Sequence, residues 1–214
     1  MTNWEKFIQT RHIKEGHSDV AAFELTPEDF KWLKKACIKA KKESLKHNNS
    51  LVGHIKEEYK ITKCTNSFNK FLNIECTSHA NFLNFLNKLN ILSNAKPYYL
   101  DSFWCNFMKK HEFNPVHTHE GLFSFVIFVQ IPYSLKKEEN YFGEVRAKEE
   151  IQTSKFNFLN TDHHGRIITT SVNVDKSFEG KMIMFPSHQT HLVYPFYTSN
   201  KYRITVSGNI KLKV

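Results

Sequence analysis

From Thr26 onward apolar residues recur at helical spacing, with Phe30, Leu33, Cys37 and Ala40 set among charges through TPEDFKWLKKACIKAKKESLK. Thr26 stands where an N-cap belongs, Pro27 suits the first helical position, and Glu28 and Asp29 bring acid to the first turn. A helix is expected here. A second stripe, Phe82, Leu83, Phe85, Leu86, Leu89 and Leu92 in SHANFLNFLNKLNIL, gives a broad apolar face and predicts another helix. Past Lys96 and Pro97 the texture changes. YYLDSFWCNFM, LFSFVIFVQI, RIITTSVNV, KMIMF, HLVYPF and YRITVSGNIKL are short, rich in Phe, Val, Ile, Thr and Tyr, and separated by turn residues. Strands with little helix between them pair antiparallel in a sandwich or barrel. The expected fold class is α+β, mainly β, in one compact domain, with a helical support region over residues 1–97 and a β core over 98–214.

Composition narrows this picture. At 214 residues and 40% hydrophobic, with 19 phenylalanines, the chain can bury a core large enough to offset its ordering entropy. No window approaches the roughly 18 uninterrupted apolar residues of a membrane span, and the start MTNWEKFIQTRHIKEGH is too polar for a signal peptide. A cytoplasmic protein with no membrane partner is expected. The four cysteines lack any C-x-x-C pair, which argues against a zinc ribbon and for free thiols. The net charge of +9 raises a nucleic-acid reading, but the 30 basic residues comprise 26 Lys and only 4 Arg. Base-edge readers lean on arginine's planar fork, so a solvated lysine surface accounts better for the charge.

The histidines carry the chemistry. NPVHTHEG places His117 and His119 one residue apart, where residues i and i+2 of an extended chain face the same side. His191, at the start of HLVYP, is the natural third imidazole of a facial set. His188 flanks that block, and TDHHG, with His163 and His164, reads as a polar turn. Twelve residues beyond His191 comes Arg203, whose fork suits a carboxylate, with the Thr205 hydroxyl two residues on and on the same strand face. A metal and a carboxylate anchor in one barrel mouth make a site for a chelating acid.

The blocks NPVHTHEG, GKMIMFPSHQTHLVYP and RITVSGNI together resemble the Fe(II)- and 2-oxoglutarate-dependent oxygenases, in particular a small phage and marine-bacterial group. The resemblance spans about residues 99 to 210. It implies a double-stranded β-helix buttressed by helices, with Fe(II) as metal and 2-oxoglutarate and O2 as partners. The implied reaction is oxidative decarboxylation coupled to hydroxylation of a second substrate that the sequence does not name. A viral origin is implied as well. By the same resemblance His117 and His191 match the two histidine ligands, Arg203 matches the partner of the far carboxylate, and Thr205 the hydroxyl beside it. Asn106 and Ser124 match strand positions that touch the co-substrate, and Phe128 stands where relatives often carry a tyrosine. The departure is the third ligand, where the family has a carboxylate and this chain has His119. Glu120 is the neighbouring acid; alternation sends it to the opposite face unless a turn intervenes. The alternative to an enzyme is a metal-binding or interaction module without turnover on the same scaffold.

Overall fold

The computed structural model describes residues 1–10, 20–82, 98–142 and 151–212. Among these residues ten strands form two antiparallel sheets. In chain order they are β1 (Ala21–Glu24), β2 (Glu58–Lys60), β3 (Tyr98–Met108), β4 (Asn114–His117), β5 (Phe123–Gln130), β6 (Phe156–Thr161), β7 (Ile167–Val172), β8 (Lys181–Pro186), β9 (His191–Val193) and β10 (Arg203–Leu212). The major sheet runs β1-β8-β5-β10-β3-β2, and the minor sheet β4-β9-β6-β7. Four helices of the described residues accompany them: α1 (Asn3–Thr10), α2 (Pro27–Lys42), α3 (Asn66–Phe82) and α4 (Leu135–Tyr141).

Strand alternation splits the interior into two cores. Phe103, Cys105 and Phe107 of β3, Phe125 and Ile127 of β5 and Val206 of β10 face the helices, meeting Leu33 and Cys37 of α2 and Phe68 and Leu72 of α3. The intervening residues Met108, Val126, Phe128, Ile183 and Phe185 face the minor sheet and pack on Phe156, Phe158 and Val193. The helices therefore buttress one face of the major sheet, and the other closes against the minor sheet as a double-stranded β-helix.

Helix α2 begins as its sequence predicts, with Thr26 Oγ1 accepting from Asp29 N at 3.1 Å. Asp29 is itself buried, its Oδ2 taking the hydroxyls of Thr26 at 3.0 Å and Ser67 at 3.2 Å, which ties α2 to the start of α3. α3 starts sixteen residues ahead of Phe82, the first residue of the stripe that predicted a second helix. Of that stripe only Phe82 belongs to it, and residues 83–97 lie outside the described residues. The front third also contributes two short strands, β1 and β2, as the edges of the major sheet. No helix among the described residues is long and apolar enough to cross a membrane.

Candidate active site

His117 ends β4 and His191 opens β9, and the two are directly paired across the minor sheet. His119 follows in the turn, held by its backbone N–H to the Ser187 carbonyl at 2.8 Å. That turn closes through Gly121, whose φ of 115° is left-handed; a Cβ there would stand 2.8 Å from the Ile210 carbonyl oxygen. The imidazole centroids lie 4.2 Å (His117–His191), 4.9 Å (His117–His119) and 5.1 Å (His119–His191) apart. One ring nitrogen from each falls within 4.8 Å of the others. His117 Nδ1 is 2.7 Å from the Pro115 carbonyl, and His191 Nδ1 is 2.8 Å from that of Gln189. A carbonyl only accepts, so both Nδ1 atoms carry the proton and both Nε2 atoms are left with a lone pair.

Burial keeps the set neutral. Phe156 stacks on His191 at 5.4 Å and Phe185 meets it edge-on at 4.9 Å, and His191 is 3% exposed. Loss of solvation, then the neighbouring rings His117 and His119, hold His191 well below the usual histidine range; burial also lowers His117. Burial and His117 push His119 down to about 4. Three neutral donors converging at this spacing can hold one divalent ion. Glu120 is exposed and outside the cluster, as is His188, while His163 and His164 occupy the β6–β7 hairpin turn.

Across a cavity of about 490 Å³ stands the major sheet. Arg203, Thr205, Ser207 and Asn209 of β10 all line it, as does Asn106 of β3, whose Nδ2 donates to Thr205 Oγ1 at 3.2 Å. Arg203 is 2% exposed and has no carboxylate partner among the described residues; its Nη1 donates only to the Ser154 carbonyl at 3.0 Å. A buried guanidinium left so costs several kcal/mol on the order of magnitude, unless an anion joins it. The structure thus brings His117, His119, His191, Arg203, Thr205 and Asn106 to one hollow, but not Ser124. Its hydroxyl is 2.9 Å from Ser187 Oγ and donates to Asn209 Oδ1 at 2.9 Å, placing it behind the lining.

Three further residues carry no sequence signal of their own. Ser154, at φ 62°, turns its carbonyl to accept from both Arg203 and the Tyr133 hydroxyl (3.3 Å), and the Tyr133 ring lies 6.0 Å from the guanidinium. A phenol therefore stands beside Arg203 although Phe128 replaces the expected one. Glu58 of β2 is buried in the cavity wall, and desolvation with the nearby Glu112 charge pushes it up to about 7.

A family model for 2OG-Fe(II) oxygenases matches residues 102–209, the span that holds all these groups but Glu58. The chain belongs to the 2OG-Fe(II) oxygenases. Membership brings Fe(II) and 2-oxoglutarate as its cofactor and co-substrate, and the histidine triad fits the metal. Among solved structures, a Pseudomonas putida prolyl-4-hydroxylase is similar with a TM-score of 0.56 at 11% identity, covering 99% of this chain and 100% of its own. The viral collagen prolyl hydroxylase of Paramecium bursaria Chlorella virus-1, solved with 2OG, gives 0.50 at 13%, covering 91% and 96%. A Trichoplax adhaerens prolyl hydroxylase in complex with a hypoxia inducible factor peptide gives 0.50 at 9%, covering 98% and 90%. These likenesses show the shared oxygenase fold. No curated protein matches the sequence.

Proposed function

We propose that this oxygenase is a hydroxylase whose Fe(II) is held by His117, His119 and His191, and whose 2-oxoglutarate is anchored at its far carboxylate by Arg203 and Thr205, with Asn106 alongside. The observation that carries this is Arg203, a buried cation without a counter-ion among the described residues, facing three neutral imidazoles across one cavity. In this reading residues 1–97 support a catalytic core of residues 98–214. Ser124 acts only through Asn209 and Ser187. The viral origin implied by the resemblance draws support from the likeness to the chlorella-virus enzyme.

The family's metal supplies oxygen activation, coupling decarboxylation of 2-oxoglutarate to succinate with oxidation of a second substrate. The chain's part is placement. His117 and His191 are fixed in tautomer and orientation by the Pro115 and Gln189 carbonyls, so their lone pairs need no reorganisation on binding. The Ser154 carbonyl and the Tyr133 ring orient the guanidinium before the diacid arrives. Phe156, Phe158 and Phe185 keep water from the inner wall.

Anaerobic addition of Fe(II) and 2-oxoglutarate to the purified protein is expected to give a visible charge-transfer band, and admitting oxygen to give succinate. Absence of both the band and 2-oxoglutarate binding would overturn the assignment. Binding without succinate would point to a module that does not turn over.

A further inference from the structure

The cavity continues from the co-substrate anchor toward the β2 edge of the major sheet, and its chemistry changes along the way. Thr205 on β10 is paired with Asn106 on β3, and Asn106 with Glu58 on β2, so the three form one row across the cavity floor. With strands about 4.8 Å apart, Glu58 lies about 10 Å from Thr205. Glu58 is 1% exposed. Its Oε2 accepts from Asn48 Nδ2 at 3.2 Å, and among the described residues no donor reaches Oε1 and no Lys or Arg pairs with either oxygen. Beside it Asn106 Oδ1 is buried without a partner, its amide nitrogen being committed to Thr205. Two adjacent residues of the cavity wall therefore each hold an acceptor, Glu58 Oε1 and Asn106 Oδ1, that takes no donor among the described residues.

The charge of the lining agrees. Of the 26 Lys and 4 Arg in the chain, Arg203 alone is among the residues described as lining this cavity, whereas Glu58, Asp101 and Glu120 all are. Asp101 is paired with Lys211 at 3.0 Å and Glu120 is exposed, which leaves Glu58 as the buried acid of this lining with no cation among the described residues. We propose that Glu58 and Asn106 receive a cationic nitrogen group of the prime substrate, an ammonium or guanidinium of the kind a lysine or arginine side chain carries, and so select what is oxidised. This rests on the oxygenase site assigned above. Such a group offers at least two N–H donors to two unfilled acceptors, and a neutral isostere would bring no positive charge to the buried carboxylate. That asymmetry is the strongest form of substrate discrimination a pocket has. Glu58 also steadies Asn48, but this needs only an acceptor, which a glutamine retains.

The test is calorimetric titration of the full chain loaded with Mn(II) and 2-oxoglutarate. The probes are L-arginine and L-lysine, their neutral isosteres L-citrulline and L-norleucine, and short peptides carrying the same side chains. A cationic probe is expected to bind at least about tenfold tighter than its isostere, in the range of one charge-assisted hydrogen bond. Glu58→Gln should erase the preference and Glu58→Asp retain part of it; the peptide arm distinguishes a free amino acid from a residue in a chain. Equal binding of charged and neutral probes, no binding of any cation, or a preference that survives Glu58→Gln would each overturn the proposal, and the wild-type comparison decides even if a variant fails to fold. Failure of the protein to load Mn(II) and 2-oxoglutarate would instead remove the oxygenase site, and this proposal with it.

Discussion

Arg203 has exchanged water for a single carbonyl, the Ser154 oxygen at 3.0 Å, and that is too little compensation for a buried charge unless a carboxylate completes it. Arg203→Ala should therefore weaken 2-oxoglutarate binding by about 1.5–3 kcal/mol, the range of hydrogen bonds to charged groups. Equilibrium dialysis measures it, and an unchanged dissociation constant would take Arg203 out of the site. Glu58 gives a second residue-scale expectation, of stability. Its folded carboxyl titrates near 7 against an ordinary 4.5, so its contribution is fully present below 4.5 and is lost as pH rises through 7. Glu58→Gln, which has no proton to lose, should melt at a higher temperature than wild type at pH 8, with the gap narrowing toward pH 5. A gap that widened toward acid would contradict the assigned burial. The site residues divide by how their position is encoded. Arg203 and Thr205 were legible because the period-2 alternation of a strand fixes which side chains share a face, the i, i+2 spacing paired His119 with His117 although β4 ends at His117, and the GKMIMFPSHQTHLVYP block added His191. Tyr133, Ser154 and Glu58 were not, since Tyr133 and Ser154 reach Arg203, and Glu58 reaches the cavity, through crossings of distant segments that leave no local pattern. Ser124 shows the limit of alternation: it has the right face but stands behind Asn209.

Helix α2 meets the sheet at a charged clip centred on Glu57, just ahead of β2. Its carboxylate takes Lys41 of α2, Lys109 at the end of β3 at 3.3 Å, and the Tyr202 hydroxyl before β10 at 2.6 Å. Burial opposes ionisation, but the bonds from Lys41 and Tyr202 and the charge of Lys41 outweigh it and hold Glu57 at about 2. A depressed acid stabilises above its unfolded value of 4.5, and that stabilisation is lost as pH falls through about 2. Glu57→Gln should cost about 1 kcal/mol at pH 7 and almost nothing at pH 2, as read by denaturant melts at the two pH values. An equal loss at both would mean the clip works through shape alone. In the middle of the sheet, a Cβ on Gly208 of β10 would sit 2.6 Å from the Phe125 ring and 2.8 Å from the Ser102 carbonyl oxygen. Gly208→Ala should therefore destabilise by about 1–3 kcal/mol, and a neutral result would show that β3 and β5 can part to admit it. The long strands were readable because β3, β5 and β10 carry eight to eleven residues of apolar or alternating sequence. β1 and β2, of four and three residues, are too short for periodicity, and exist because β8 and β3 offer them a register. β6 is absent from the expected strands; its Asn157 and Asn160 interrupt the apolar residues, yet Asn157 is buried.

The two sheets divide the chemistry between them, and this makes ligand binding a property of the whole molecule. The imidazoles belong to the minor sheet and the turn beyond β4, whereas Arg203, Thr205 and Asn106 belong to the major sheet. A diacid that chelates the metal at one end and meets Arg203 at the other would join the sheets across their cavity. Charge works in the same direction. Three neutral donors would leave a divalent ion's charge uncompensated, with Arg203 adding another, so that in the proposed site the diacid would supply the negative charge that a carboxylate ligand otherwise brings. Metal and diacid are thus expected to bind with positive coupling of about 1–3 kcal/mol, each raising the affinity of the other equally. By mass action each ligand alone raises the melting temperature, and coupling adds about 2–4 °C per kcal/mol beyond the sum in a chain of this length. Thermal melts with Mn(II), with 2-oxoglutarate and with both would show it. His119→Asp, which returns a negative charge to the metal, should shrink the excess while leaving the shift from metal alone at least as large. Strictly additive shifts in the wild type would mean that the sheets hold their ligands independently, and that the missing carboxylate has no consequence for how this oxygenase assembles its site.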